Sequence, residues 1–121
     1  MKTHLETRAL FAGYNPADNH GAVKPPIHPA STFVFPSAAI GAAHMETAYG
    51  VEGAETPPEG GFIYSRLGNP TLSIAETRLA AWDESEAAAV FSSGMSAIST
   101  TLFAWTGSER ALWHVGPLYG G

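Results

Sequence analysis

The sequence contains no cysteine. A chain without thiols cannot form disulfide bonds, bind metal through thiolates or use a thiolate as a nucleophile. Its absence is compatible with a reducing compartment. The N-terminus also lacks the basic start and apolar core of a signal peptide, so we expect the protein in the cytoplasm.

Charge is also scarce. Only 14% of the 121 residues are charged, and 11 acidic and 6 basic residues give a net charge of −5. No run of Lys or Arg occurs, so the electrostatic pattern of nucleic-acid binding is missing. Hydrophobic residues make up 45% of the chain, which is enough for a core. The low charge of such a small domain indicates that partners cover part of its surface.

Motifs for metal binding, serine nucleophiles and membrane spans are missing as well. The histidines occur without a metal-ligand spacing and a third ligand: His4, His20, His28, His44 and His114. Ser93 does not lie in a G-x-S-x-G turn. The uncharged stretch 87–108 is rich in Ser and Thr, which favours buried soluble structure over a membrane span.

Residues 1–35 are rich in proline and show no helical periodicity. Each proline favours extended or turn backbone and cannot pair in a central strand. Many apolar side chains argue against simple disorder here: Leu10, Phe11, Val23, Ile27, Phe33, Val34 and Phe35. We therefore predict an arm that lies against another surface, such as a second subunit.

Capping residues predict two helices in the middle of the chain. Ser37 can cap a helix over 38–49 that ends at Gly50, and Asn69 can cap a helix that begins with Pro70. Between them, residues 50–61 combine adjacent prolines with glutamates and glycines, which is typical of an exposed loop. Apolar spacing in the second helix predicts a buried face of Leu72, Ala75, Leu79 and Trp82.

The last third of the chain alternates between strand and helix patterns. After a break at 83–85, the patterns predict a short buried strand over 86–91, a helix over 93–106 and a short strand over 111–115. This order indicates an α/β protein with a parallel layer. We divide the chain into an arm with one helix and a loop, residues 1–61, and the start of an α/β domain, residues 62–121.

One candidate site lies where the first predicted strand gives way to the helix, in the segment SSGMSA at 92–97. Free N–H groups at a helix start and the helix dipole attract anions, and Gly94 lets a phosphate approach the main chain. Small residues also occur at such turns only to permit tight packing. The pattern alone leaves both interpretations open.

Two other segments could contact a ligand. In an extended segment, Tyr64 and Arg66 would point the same way and present a hydroxyl and a guanidinium to a phosphate. Alternatively, Tyr64 packs and Arg66 pairs with a surface carboxylate. Tyr119 follows a predicted strand, where it could stack on a flat cofactor or be an ordinary loop residue.

Four segments together resemble one enzyme family. They are VKPPIHPASTFVFPS at 23–37, GGFIYSRLGNPTL at 60–72, AVFSSGMSAISTTL at 89–102 and PLYGG at 117–121. In this order they resemble the cysteine and methionine metabolism family of pyridoxal-phosphate (PLP) enzymes, which includes cystathionine γ-synthase, cystathionine γ-lyase and methionine γ-lyase. The resemblance implies the beginning of the large PLP-binding domain of a fold-type I, aspartate-aminotransferase-like enzyme.

The resemblance also implies roles for particular residues. The N–H groups of Gly94 and Met95 would bind the phosphate of pyridoxal 5′-phosphate, and Tyr64 and Arg66 would reach the phosphate in the neighbouring subunit of a homo-oligomer, a dimer or tetramer. Tyr119 would stack on the pyridine ring and assist proton transfer to the leaving group. The implied reactions are γ-elimination or γ-replacement on sulfur amino acids or activated homoserine.

Some features of the family have no counterpart in the sequence. The lysine that holds the cofactor covalently, the aspartate at the pyridine nitrogen and the arginine for the substrate carboxylate match no residue, and Lys2 and Lys24 do not fit. Gly121 stands where methionine γ-lyases often have cysteine, and 105–112 departs from the family's usual turn. We expect a fragment of an enzyme that is inactive alone. The alternatives are a truncated, non-catalytic phosphate- or PLP-binding module and an α/β domain without a ligand.

Overall fold

The computed structural model describes residues 4–55, 57, 61–107 and 110–118. The helices in these ranges are α1 (Leu5–Phe11), a 3₁₀ helix (Pro16–Asn19), α2 (Ala38–Ala48), α3 (Pro70–Trp82) and α4 (Gly94–Trp105). The chain divides into two compact units, Met1–Ala88 and Ala89–Gly121, and α4 belongs to the second. None of the helices in the described ranges has both the length and the apolar character that a membrane span requires.

Helices α2 and α3 begin at the predicted capping residues, and α4 begins where its helix was predicted to start. Ser37, Asn69 and Ser93 have extended backbones, and each side chain accepts a hydrogen bond from an N–H of the first turn. The end of α2 also follows the prediction, because Gly50 adopts a φ of 65°. The N–H groups of Gly50 and Val51 then bond to carbonyls of the last turn, which satisfies acceptors that a helix end leaves free.

Residues 5–11 form a helix, so the expectation of a non-helical arm over residues 1–35 is wrong there. Helix α1 has seven residues and packs against α3. Among the described residues, the buried apolar side chains are Ala9 of α1 and Ala80 of α3, each 8% exposed. A helix of two turns offers too few residues for an apolar period to be recognised, and its stability comes from packing against its neighbour.

The predicted buried face of α3 is also wrong. Leu72, Leu79 and Trp82 are exposed. Instead, the turn after α1 approaches Thr77, since a Cβ added to Gly13 would lie 2.8 Å from the Cβ of Thr77. Gly13 also has a φ of 69°, a conformation that strains other residues. The packed face of α3 therefore consists of small side chains, which apolar spacing does not reveal.

The predicted strands do not form in the described residues. The regular elements in these residues are helices. Segments 86–91 and 111–115 are not buried strands, and Trp113 and Val115 are 93% and 90% exposed. The β contact found within the described ranges is an isolated antiparallel bridge between Thr32 and Tyr64. Parallel strands need both a paired neighbour and cover on their faces. The exposed segment 111–115 has no such cover in the described part of the chain.

Residues 31–33 of the arm lie against residues 62–65, the segment that precedes α3. The N–H of Phe33 donates to the carbonyl of Ile63 (3.4 Å), and the ring centres of Phe33 and Phe62 are 5.5 Å apart. Part of the apolar arm is thus packed within its own unit. Other apolar side chains of the arm are exposed: Leu10, Phe11, Val23, Ile27 and Val34. Contact of the arm with a second subunit stays a prediction.

Candidate functional site

Tyr64 and Arg66 lie in a turn that leads into α3. The carbonyl of Tyr64 accepts hydrogen bonds from the N–H groups of Leu67 (2.8 Å) and Gly68 (3.1 Å), so the predicted extended conformation ends at Tyr64, and Arg66 lies in the turn. The turn nevertheless brings the two side chains together, because the Cζ of Arg66 lies 5.1 Å from the centre of the Tyr64 ring. A guanidinium over an aromatic face is attracted by the ring quadrupole. This contact orients Arg66 in solvent.

The surroundings of Arg66 leave its charge available to a ligand. Both Tyr64 and Arg66 are exposed. No carboxylate within the described ranges forms an ion pair with Arg66, whereas Arg8 pairs with Glu84 at 3.5 Å. The alternative in which Arg66 is occupied by a surface carboxylate therefore gains no support from this part of the chain.

Asn69 connects the turn to the arm. Its side-chain amide donates to Ser65 Oγ (3.0 Å) and to the carbonyl of His28 (3.0 Å), while its Oδ1 accepts from the N–H of Thr71 (2.9 Å). Asn69 is 7% exposed, and its buried amide has partners for both donors and for its oxygen. The cap is predicted by the sequence, whereas the other two bonds are not, because no local pattern indicates their partners.

The start of α4 leaves two backbone donors free. Ser93 Oγ accepts from the N–H of Ser96 (3.1 Å), and Ser96 Oγ accepts from the N–H of Ser93 (3.3 Å), which forms a reciprocal capping box. The N–H groups of Gly94 and Met95 take no part in this box and have no acceptor among the described residues. Both residues are exposed.

This helix start fits a phosphate group. Two free N–H groups and the positive end of the helix dipole favour an anion. A Cβ added to Gly94 would meet no atom within 4 Å, so the space beside the main chain is open. The same observation argues against the interpretation in which Gly94 only permits tight packing, since nothing in the described part of the chain packs there.

The predicted site residues thus occupy separate parts of the chain. Tyr64 and Arg66 contact each other in the first unit, and Gly94 and Met95 adjoin in the second. Tyr119 lies outside the described residues.

Comparison with known proteins decides which family is present. Residues 6–121 match the family described as Cys/Met metabolism PLP-dependent enzymes. The chain belongs to this family. The match confirms the resemblance inferred from the four sequence segments. Members of the Cys/Met metabolism family have fold type I, although the regular elements of the described residues are helices and the sheet of that fold is not among them.

Curated relatives within the Cys/Met metabolism family carry two different names. An L-methionine gamma-lyase of Pseudomonas deceptionensis is 43% identical over 102 residues, which is 84% of this chain and 23% of the relative. An L-methionine gamma-lyase of Fusobacterium nucleatum subsp. polymorphum is 43% identical over 105 residues, 87% of this chain and 23% of the relative. A cystathionine gamma-synthase of Mycobacterium bovis is 42% identical over 96 residues, 79% of this chain and 20% of the relative. The chain thus spans less than a quarter of the length of these relatives.

Proposed function

We propose that the protein acts as a pyridoxal-phosphate-dependent enzyme on sulfur amino acids or activated homoserine, by γ-elimination or γ-replacement. The observation that carries the proposal is the open helix start of α4 in a chain of the Cys/Met metabolism family. Because the capping box leaves the N–H groups of Gly94 and Met95 free, these groups would bind the cofactor phosphate.

Tyr64 and Arg66 supply a second set of donors in this proposal. The guanidinium would donate two parallel hydrogen bonds to phosphate oxygens, and the Tyr64 hydroxyl would donate one more. We assign this pair to the phosphate of a neighbouring subunit, so that a homo-oligomer, a dimer or tetramer, shares its active sites. The large apolar side chains exposed in the described ranges support an assembly that covers them, including Ile27, Val34 and Phe103.

The chemistry depends on both the cofactor and the chain. When bound, pyridoxal phosphate withdraws electrons from an amino acid and lets its γ-substituent leave or be exchanged. The residues of α4 would fix the phosphate end. Tyr119 would stack on the ring, and its phenolic oxygen would hold or release the proton that the leaving group needs. Relatives are named both lyase and synthase, so elimination and replacement both belong to the proposal.

Recognition of the phosphate is tested by titrating the chain with pyridoxal phosphate and, separately, with pyridoxal, while tryptophan fluorescence is recorded. We expect saturable binding of pyridoxal phosphate, competition by inorganic phosphate and no saturable binding of pyridoxal. Arg66→Ala should weaken the binding about tenfold, since a charge-assisted hydrogen bond is lost. Arg66→Lys is the matched control that keeps the charge but not the two-pronged geometry. Equal affinity for pyridoxal and pyridoxal phosphate would contradict the proposed phosphate site.

Turnover separates the enzyme from a non-catalytic module. Because we expect the chain to be inactive alone, turnover is measured on the full-length protein. Release of a thiol or a 2-oxo acid from methionine or cystathionine supports the enzyme. Reversible cofactor binding without any product, and without a mass increase after borohydride reduction, supports a phosphate- or PLP-binding module instead. The second candidate is retained because the family's covalent lysine matches neither Lys2 nor Lys24.

A further inference from the structure

Ser65 lies between Tyr64 and Arg66 and is fixed by three hydrogen bonds. Its N–H donates to the carbonyl of Ser31 (2.9 Å), its hydroxyl donates to the carbonyl of Ala30, and the amide of Asn69 donates to its Oγ (3.0 Å). Ser65 is partly buried, whereas its two neighbours are exposed. Ser65 would therefore not touch a ligand, but its side chain is hydrogen-bonded to the arm and to Asn69.

Asn69, which donates to Ser65 Oγ, is itself held by further hydrogen bonds. Asn69 is 7% exposed, caps α3 through Oδ1 and donates to the carbonyl of His28. The position of the Ser65 hydroxyl is consequently set by a helix start and by the arm at the same time. Hydrogen bonds joined in such a network restrict one another's geometry.

We propose that Ser65 and Asn69 are positioning residues for the Tyr64–Arg66 pair. The inference rests on the proposed function, in which this pair binds a phosphate. Removing the Ser65 hydroxyl frees one face of the turn from both Asn69 and Ala30. The guanidinium of Arg66 then samples orientations away from the Tyr64 ring, and only part of the population presents both donors to a phosphate.

The test compares Ser65→Ala with Thr71→Val in the whole chain. Thr71 Oγ1 accepts from the N–H of His28 (2.9 Å), so Thr71→Val also breaks a bond between arm and α3 but leaves Ser65 untouched. NMR measures the ring-current shift that Tyr64 imposes on the side-chain protons of Arg66, and a titration measures the affinity for inorganic phosphate and for pyridoxal phosphate. We expect Ser65→Ala to abolish the shift and to lower the affinity for both ligands about fivefold. Thr71→Val should retain the shift and both affinities.

A second variant keeps the test decisive if Ser65→Ala does not fold. Asn69→Asp preserves the cap, since aspartate caps helices as well as asparagine, but it cannot donate to Ser65. The proposal is overturned if either variant folds and leaves the Arg66 signals unchanged, or if Thr71→Val changes them equally. If the variants abolish the shift while Arg66 responds to phosphate in no form of the chain, Ser65 and Asn69 do position the pair, and the phosphate assignment of the proposed function is wrong.

Discussion

Helices α3 and α4 begin with similar caps but leave different groups free. Helix α3 starts with Asn69 and Pro70, so its first position has no N–H, and its capping side chain is buried and bonded to the arm. Helix α4 starts with Ser93 and Gly94, so its first N–H is free, and its exposed cap bonds only within its own turn. A helix start satisfied by its own chain stabilises the fold, whereas one with free donors can bind a ligand.

The largest difference between the two starts should appear when their caps are removed. We expect Asn69→Ala to lower the free energy of unfolding by about 3 kcal/mol, because the cap is lost and two partly buried acceptors, the His28 carbonyl and Ser65 Oγ, lose their donor. Urea denaturation of the first unit, followed by tryptophan fluorescence and circular dichroism, measures the change. A loss no greater than that of an exposed cap, about 1 kcal/mol, would mean that the bonds to Ser65 and His28 contribute little.

The second prediction concerns a variant in which the start of α4 resembles that of α3. Gly94→Pro removes one N–H, yet proline suits the first helical position and the extended backbone of Ser93 permits it. We expect the helix to remain and the affinity for pyridoxal phosphate to fall about tenfold, because a hydrogen bond to a charged group is lost. Gly94→Ala is the matched control, since its N–H is kept and its Cβ meets open space. An unchanged affinity in Gly94→Pro, with circular dichroism showing an intact helix, would exclude this N–H as a phosphate donor.

The third prediction concerns the exposed cap. Ser93→Ala should destabilise the first turn of α4 by about 1 kcal/mol, the usual contribution of a serine cap. Amide hydrogen exchange at the start of α4 measures the effect. The Arg66 signals should not change, because Ser93 bonds to Ser96 and not to the arm. If Ser93→Ala destabilises its helix by as much free energy as Asn69→Ala destabilises the first unit, the contrast between an isolated and a connected cap is wrong.

The smallest effect is expected when a donor is restored to α3. Pro70→Ala should destabilise the protein by roughly 0.5 kcal/mol, since the unfolded chain gains conformational freedom. It should not create a phosphate site, because the cap at α3 is buried and its side chain is occupied. Thermal unfolding and a phosphate titration of Pro70→Ala measure both quantities. Phosphate binding at this helix start would show that a free N–H is sufficient without an open, exposed cap.

The helix starts could be predicted because their signals are local. Ser37, Asn69 and Ser93 each act through an N–H within the next three residues, so the pattern and the structure coincide. The face of α3 could not be predicted in this way. Its burial depends on α1, whose contribution is the small Ala9, and apolar spacing favours large side chains instead.

The contact between Tyr64 and Arg66 could be predicted from the sequence, but the backbone geometry that produces it could not. Tyr64 and Arg66 do lie together, but a turn closed by Leu67 and Gly68 joins them rather than an extended segment. The links from Asn69 to His28 and Ser65 involve partners that no local pattern identifies. The strands expected at 86–91 and 111–115 depend on neighbours that the described residues do not provide.

The bonds that join the arm to the turn before α3 have a consequence for a cleaved chain. A protease acting after the exposed Glu52 would cut between α2 and α3 without breaking the hydrogen bonds of Ser65 with Ser31 or of Asn69 with His28. The packing of α1 on α3 would also span the cut. Two peptides divided at this point should therefore reassemble when they are mixed, and the first unit can be studied as a split protein whose halves recognise each other.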